Sequence, residues 1–299
     1  MHQKDSDDPY ALDTCKVLKG SSAKKKQILS NLSSHTRFVG KSYHKDVWRL
    51  LDVEYEDPYM NIALEEAIAR NVGERLVPNT IRFWRNLNSV VIGRFQSVVL
   101  EVNLEACRKH KTEIVRRFTG GGAVYQDQGN LNYTICFHKE HRLFKNDILE
   151  TFNTLARAVI EGLKILGVVS ELKSPNSIQI NDLKISGLAG SAKWGAVLCH
   201  GSLLISSNLK ILSEVLDADK QEVSHRYVPS TRRAVTTLCT QLRRKVSLSE
   251  VKKALKEAFE TCLLIKLVDD ELTEDEIRLA QKLYEEKYST EKWNFTYSS

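Results

Sequence analysis

The chain has none of the long apolar segments that a spanning helix requires. No window approaches the roughly 18 consecutive apolar residues involved, and the longest apolar runs are strand-sized. It opens on polar residues rather than on the apolar core of a secretory signal. Six cysteines (Cys15, Cys107, Cys136, Cys199, Cys239 and Cys262) are scattered without C-x-x-C spacing, so a soluble protein in a reducing cytoplasm is expected. No internal repeat appears. Nor is one sign of charge dominant: 44 Lys and Arg against 38 Asp and Glu leave a formal +6. That excess permits an anionic partner, such as a nucleotide or an acidic domain, without demanding one.

What is present suits a globular enzyme-sized domain. The 299 residues are 42% hydrophobic, ample for a real core. Residues 1–45 differ from the rest, with early aspartates, Lys24-Lys25-Lys26, many serines and few large apolar side chains, and read as a flexible extension. The folded domain is expected over residues 46–299, opening on Trp48-Arg49-Leu50-Leu51. Asp57-Pro58 reads as an N-cap followed by the first helical residue, with Met60, Ala63, Leu64, Ala67 and Ile68 along one helix face. Strands are predicted over Thr80 to Arg85, alternating, then Ser89 to Ile92, Glu113 to Arg116 and Leu131 to Phe137, with a brief helix from Leu104 to Lys109. A long helix is predicted from Asp147 to Leu166, its core face including Leu149, Phe152 and Val159, with Gly167 as its stop. Ser177 to Ile180 and Leu183 to Ser186 flank Asn181-Asp182 as a tight hairpin, and Ala196 to Ile205 is a further strand. Ser247 with Glu250, and Thr273 with Glu276, have capping-box spacing before amphipathic runs. Strands and helices interleave without a strict βαβ repeat, so the predicted class is α+β, a mixed sheet covered by helices.

Two segments could carry chemistry. The first is Arg116-Arg117-Phe118-Thr119-Gly120-Gly121-Gly122-Ala123-Val124-Tyr125, between two predicted strands. Three consecutive glycines cost chain entropy, which close backbone approach would justify. Glycine amides can form an anion-binding concavity, to which Arg117 could add a charge-assisted contact; a flexible hairpin with solvated arginines is the plainer alternative. Walker and dinucleotide patterns both fail, because Gly122 is followed by Ala123-Val124 and Tyr125 stands where the latter needs glycine. The second is Asp182-Leu183-Lys184-Ile185-Ser186-Gly187 with Cys199-His200-Gly201-Ser202. On regular strands Lys184 and Ser186 would share one face, and Leu198, His200 and Ser202 another, both lining one cleft. A lysine there could hold two anions together. The plainer alternatives are a surface lysine on an edge strand and a structural histidine.

In this order, Val91-Ile92-Gly93-Arg94-Phe95-Gln96, Arg116 to Tyr125 continuing through Asp127 and Gly129-Asn130-Leu131-Asn132-Tyr133-Thr134, Lys184-Ile185-Ser186-Gly187 and His200-Gly201 resemble the lipoate protein ligase family. The likeness spans about Trp48 to Phe295. It implies the α+β catalytic domain shared with biotin protein ligases and a two-step reaction: lipoate attacks the α-phosphate of ATP to give lipoyl-AMP, and an acceptor lysine then takes the lipoyl group. By that resemblance Arg117, Gly121, Gly122, Ala123, Val124 and Tyr125 are nucleotide-binding positions. Lys184 is the catalytic lysine touching both lipoate and the α-phosphate, and His200 lines the lipoyl pocket. Mg2+ is expected with ATP, with no ligands assigned. The acceptors implied are lipoyl-domain proteins, of the 2-oxoacid dehydrogenase E2 or glycine cleavage H protein type.

Two departures stand out. Gln126 replaces a histidine common in the family. The segment Tyr284 to Phe295 looks like the close of the catalytic domain, without the accessory domain of bacterial single-chain members, so a separate accessory subunit is expected, as in archaeal members. The competing expectation is an octanoyl or lipoyl transferase of the same fold, using a cysteine nucleophile and a thioester instead of ATP. Val197 stands at one position where such families place the cysteine, and Ser174 to Asp182 holds none at the other. Cys199 neighbours His200 and should point away from it. A non-catalytic lipoyl- or nucleic-acid-binding module is disfavoured by the retained Lys184 and glycine loop.

Overall fold

A computed structural model describes residues 46–145, 147–173, 176–216, 228–231 and 233–296, all within a compact unit spanning Lys45–Ser299. The flexible extension expected over residues 1–45 lies outside the described residues, as do Ser174 and Pro175. Strand β1 (Asp46–Asp52) leads through a capped turn into helix α1 (Pro58–Gly73), where Asp57 accepts from the amides of Tyr59 and Met60. Strands β2 (Thr80–Trp84) and β3 (Asn88–Ile92), short helices α2 (Val98–Glu101) and α3 (Leu104–His110), and strands β4 (Glu113–Arg116), β5 (Val124–Asp127) and β6 (Asn130–His138) follow. Then come α4 (Ile148–Ile165), β7 (Glu171–Lys173), β8 (Ser177–Ile180), β9 (Leu183–Lys193), β10 (Ala196–Leu204), α5 (Leu209–Val215) and α6 (Leu238–Leu242). The chain closes on α7 (Leu248–Leu263), β11 (Ile265–Asp269), α8 (Glu274–Leu283), a π-helical turn (Tyr284–Tyr288) and α9 (Glu291–Phe295).

The strands form a mixed eight-stranded sheet, ordered β11-β1-β2-β6-β10-β9-β8-β7, and a three-stranded sheet, β4-β3-β5. β1 is parallel to both its neighbours, and the other pairs of the large sheet are antiparallel. The alternation read along β6 holds. Leu131, Tyr133, Ile135 and Phe137 join one core with Phe152 and Val159 of α4 and Leu255 and Phe259 of α7, while Cys136 joins a second core with α1. The cleft opens on this second face of the sheet, between it and the small sheet.

Several elements depart from their sequence patterns, each because burial exceeds what one face would need. Helix α1 is buried around nearly its whole circumference, so Glu65 and Glu66 are interior beside Ala63 and Ala67. β2 does not alternate: it lies between β1 and β6 and is covered on both sides, leaving all five residues buried. Leu149, predicted as core, is 49% exposed at the first turn of α4. Thr273 completes its capping box, but at Ser247 the Glu250 side chain turns to Arg244 instead, so only half of that box forms. Asn181 and Asp182 both have positive φ, as a two-residue hairpin turn demands, and a second such turn at Trp194 and Gly195 joins β9 to β10.

Candidate functional site

The loop over residues 117–123 leaves β4 and enters β5 with its glycines against other backbone. A Cβ on Gly93 would stand 2.0 Å from the Gly121 carbonyl oxygen, so only glycine fits there, and Gly121 itself has φ +91°. Arg117 is the brace. It is 4% exposed, and its guanidinium donates to Val91 O at 3.0 Å, Gly120 O at 2.7 Å and Gly122 O at 2.9 Å, while its Nε donates to Thr119 Oγ1 at 3.0 Å. Burial lowers its pKa to about 10, against a weak opposing pull from Glu65. The donors that could have reached a phosphate therefore point into the loop. Gln96 ties the same loop from outside: its Oε1 accepts from Gly93 N at 2.9 Å, and its Nε2 donates to Ser230 Oγ at 2.9 Å. That hydroxyl also accepts from Ala123 N. Arg116 spends its donors on the carbonyls of Gly93, Gln96, Trp293 and Asn294, tying α9 to the loop.

Lys184 sits at the start of β9. Its backbone bonds Ala234 O and the Thr236 amide, and the register opposite β8 shifts between Ile178 and Gln179, pairing Ser186 with Ile178 but Lys184 with Gln179. This bulge corrects the expectation that Lys184 and Ser186 share a face. Ser186 meets Tyr133 Oη at 2.9 Å, within reach of the α4–α7 core, whereas the Lys184 side chain lies over Gly187 on the cleft side. A Cβ on Gly187 would come within 2.8 Å of Lys184 Cε and Nζ, so the lysine stem passes directly over this glycine. Among the described residues the ammonium makes no hydrogen bond or ion pair. Burial first, then Arg233 and Arg117, lower its pKa to about 8.

Sequence reasoning missed the carboxylate behind His200. Glu65 of α1 contacts His200 Nδ1 and Thr134 Oγ1, and His200 Nε2 lies 2.9 Å from Thr119 Oγ1 in the glycine loop. A buried chain thus runs Glu65–His200–Thr119–Arg117. Burial would raise the Glu65 carboxyl, but His200, Arg82 and Thr134 together hold it below its ordinary value. Gln126, the departure from the family pattern, accepts from Asn86 at 2.8 Å and from Asn132 at 3.2 Å, and so belongs to a buried amide cluster. The only sequence signal for either network was polar residues inside otherwise apolar periods.

Two adjoining cavities meet at Lys184. One, of about 470 Å3, is lined by Ala123, Val124, Tyr125, Ile185 and apolar residues of β10 and α5. The other, of about 290 Å3, is lined by Arg117, Gly122, Ala123, Val124, Gln126 and His200, with Ile62 and Trp84. Of the residues that the resemblance gives a binding or catalytic role, Gly121 lines neither, and its carbonyl abuts Gly93. Among the described residues no cysteine lines either cavity. Cys199 is buried in the α4–α7 core on the far side of β10, and burial pushes its thiol well up. No group of three His, Cys, Asp or Glu that could hold a metal occurs among the described residues. No described helix is long and apolar enough to cross a membrane.

A lysine without a partner among the described residues, where two cavities meet, could offset the charge of two anionic groups held side by side. The family model for the lipoyl protein ligase A/B catalytic domain matches residues 57–260. Lipoate-protein ligase A subunit 1 of Thermoplasma acidophilum is 35% identical over 79% of this chain and 91% of its own length. Octanoyltransferase LipM of Brevibacillus brevis is 29% identical over 83% of this chain and 98% of its own length. A structure from an archaeal lipoylation system, described as a bi-partite lipoate protein ligase and its E2 lipoyl domain from Thermoplasma acidophilum, superposes with a TM-score of 0.73 at 36% identity, covering 84% and 97% of the two chains. A lipoate-protein ligase A bound with ATP gives 0.72 at 36% identity, covering 84% and 99%. The chain belongs to the lipoyl protein ligase A/B catalytic domain family and is an enzyme of the lipoate ligase and transferase group.

Proposed function

We propose that this enzyme is an ATP-dependent lipoate protein ligase. The carrying observation is Lys184, an unpaired cation lining both cavities. In this reading the larger cavity, walled by Ala123, Val124 and Tyr125, takes the nucleotide, and the smaller, beside His200, takes the acyl chain; the volumes rank as the substrates do. A carboxylate and an α-phosphate repel one another, and a half-buried ammonium between them offsets both charges as the anhydride forms. Arg117 acts from behind, fixing the loop whose Gly122 to Tyr125 stretch faces the ligands. Mg2+ arrives on the nucleotide, held mainly by phosphate oxygens, and no protein ligand is assigned. Walls of Ile62, Trp84 and Val91 keep water from the acyl adenylate until an acceptor lysine enters. The acceptor class is a lipoyl domain, and a separate accessory subunit completes the enzyme. A relative named as subunit 1, and one solved as a bi-partite ligase with an E2 lipoyl domain, support that pairing.

The rival is a thioester-dependent octanoyl or lipoyl transferase, favoured by the similarity to proteins named LipM. The placement of the described cysteines outside both cavities supports the ligase. Lipoate-dependent exchange of pyrophosphate into ATP separates the two. Supplied with the accessory subunit, wild type should catalyse it, Lys184→Ala should lose about 10²–10³-fold while staying folded, and Cys199→Ala should keep it within about threefold. No exchange in the wild type, with acyl transfer from a thioester lost in Cys199→Ala, would establish the transferase instead.

A further inference from the structure

On the outer side of the glycine loop lies a surface that the cleft chemistry does not use. The Arg94 amide donates to Thr119 O at 2.8 Å, and the Phe95 ring is 3.9 Å from where a Gly120 side chain would begin. From there cations and indoles continue without a break. The Arg94 guanidinium lies 5.6 Å from the Trp293 ring and Lys287 Nζ 4.1 Å from it, while Lys193 Nζ stands 5.9 Å from Trp194, whose ring packs at 57° to Phe118 of the loop with centroids 5.2 Å apart. Arg94, Lys287, Lys292 and Trp293 also line a hollow of about 250 Å3, together with Glu286, whose carboxylate lies 4.0 Å from Lys282 Nζ. The acid beneath, Glu66, is buried and already engaged by Arg70, Lys287 and Tyr288. Among the described residues Arg94, Lys193 and Lys292 have no ion pair. Their mutual repulsion is felt: Lys193 and Lys287 are both held below the ordinary lysine value, by burial first and also by Arg94.

The geometry points to a docking surface for an acidic face of the acceptor protein, one backbone thickness from the cleft, that steers the acceptor lysine to its mouth. This rests on the ligase reading for the identity of the partner, while its charge preference comes from the surface alone. Clustered unpaired cations flanked by exposed aromatic area suit a partially dry, charge-complementary contact, whose loss shows chiefly in encounter and salt dependence.

The test uses a recombinant E2 lipoyl domain as probe and the full chain carrying Lys193→Glu and Lys292→Glu, neither of which lines the cleft. Wild type should bind the probe with an affinity that falls as salt rises from 0.05 to 0.3 M, on the order of tenfold. The double variant should bind about tenfold or more weakly at low salt, with lipoate-dependent pyrophosphate exchange unchanged. Equal affinity of wild type and variant, with exchange intact, overturns the docking surface alone. So does loss of an accessory chain, RNA or anionic vesicles from the variant while probe affinity is unchanged. Absence of exchange in the wild type counts against the ligase reading and leaves the binding comparison standing.

Discussion

Adding one methyl group at Gly93 should disable the enzyme without touching a substrate. A Cβ there would sit 2.0 Å from Gly121 O, whereas ordinary contact begins near 3.4 Å, so the carbonyl must retreat by at least 3.4 − 2.0 = 1.4 Å. It cannot retreat alone, since Arg117 holds the carbonyls on either side, at Gly120 and Gly122, and lies 3.3 Å from the same new atom. Overpacking of this kind costs about 1–3 kcal/mol, a fall of roughly 2–4 °C in Tm for each kcal/mol in a domain of this size. The catalytic loss should be larger in proportion. Ala123 and Val124 line both cavities, and a displacement near 1 Å at a positioned group costs on the order of 10²-fold in rate. Gly167→Ala is the control: it has φ +86° with no neighbour within 4 Å, so it should lower Tm while leaving kcat/KM near wild type. Pyrophosphate exchange at limiting ATP, read beside thermal melts, gives both numbers. A folded Gly93→Ala within threefold of wild-type kcat/KM would refute the claim that loop geometry governs the nucleotide site.

Further outcomes follow from charge. With its pKa at about 8, Lys184 is charged below that pH and neutral above it in the free enzyme, so log(kcat/KM) for ATP should fall as pH rises through about 8; a flat profile to pH 9.5 would remove Lys184 from the titrating step. The same lowering means that charged Lys184 costs the native state stability at all pH below about 8, a cost that fades as pH approaches the unfolded value of 10.5. Lys184→Met, inactive, should therefore melt higher than wild type at pH 7, and an unchanged or lower Tm would contradict that sign. Glu65→Ala should cost about 3–5 kcal/mol in urea unfolding, because it strands the partners of a buried carboxylate. The lowered Glu65 pKa adds stability above its unfolded value of 4.5 that is lost as pH falls, so the gap to wild type should narrow in acid.

The parts of this molecule legible in the sequence are those governed by local rules. Asp57 as a cap, the positive-φ pair Asn181-Asp182, the stop at Gly167 and the alternation along β6 each depend on a few neighbouring residues, and each is found as read. The parts that were not legible depend on what lies across the sheet. Nothing near Glu65 marks it as interior; it is held because His200 and Thr134, on strands far along the chain, meet it. The bulge at Lys184 is likewise invisible locally, since it arises from the pairing of β8 with β9 and reverses which face Ser186 takes. Short edge strands β7 and β11 escape for the same reason, as their partners rather than their own residues define them.

The two cations that the sequence offered for anion binding illustrate the distinction most sharply. Arg117 and Lys184 look equivalent by charge and by proximity to a glycine-bearing motif. A guanidinium presents five donors in a rigid fork, and when carbonyls converge on that fork it becomes a structural member: four carbonyl or hydroxyl oxygens of its own loop and β3 absorb Arg117. An ammonium on a flexible stem has no such fixed shape to satisfy, so it can be left over a glycine with nothing to bind. Converging carbonyls are already partially negative and would repel a phosphate, so the residue they surround is the poorer anion ligand even though its charge is permanent. The unpaired lysine, already lowered toward neutrality by burial and by two nearby arginines, gains most when anions arrive, because their charge reverses each of those penalties at once. Affinity for the reacting pair is thus placed on a cleft-lining cation that, among the described residues, its own environment leaves unsatisfied.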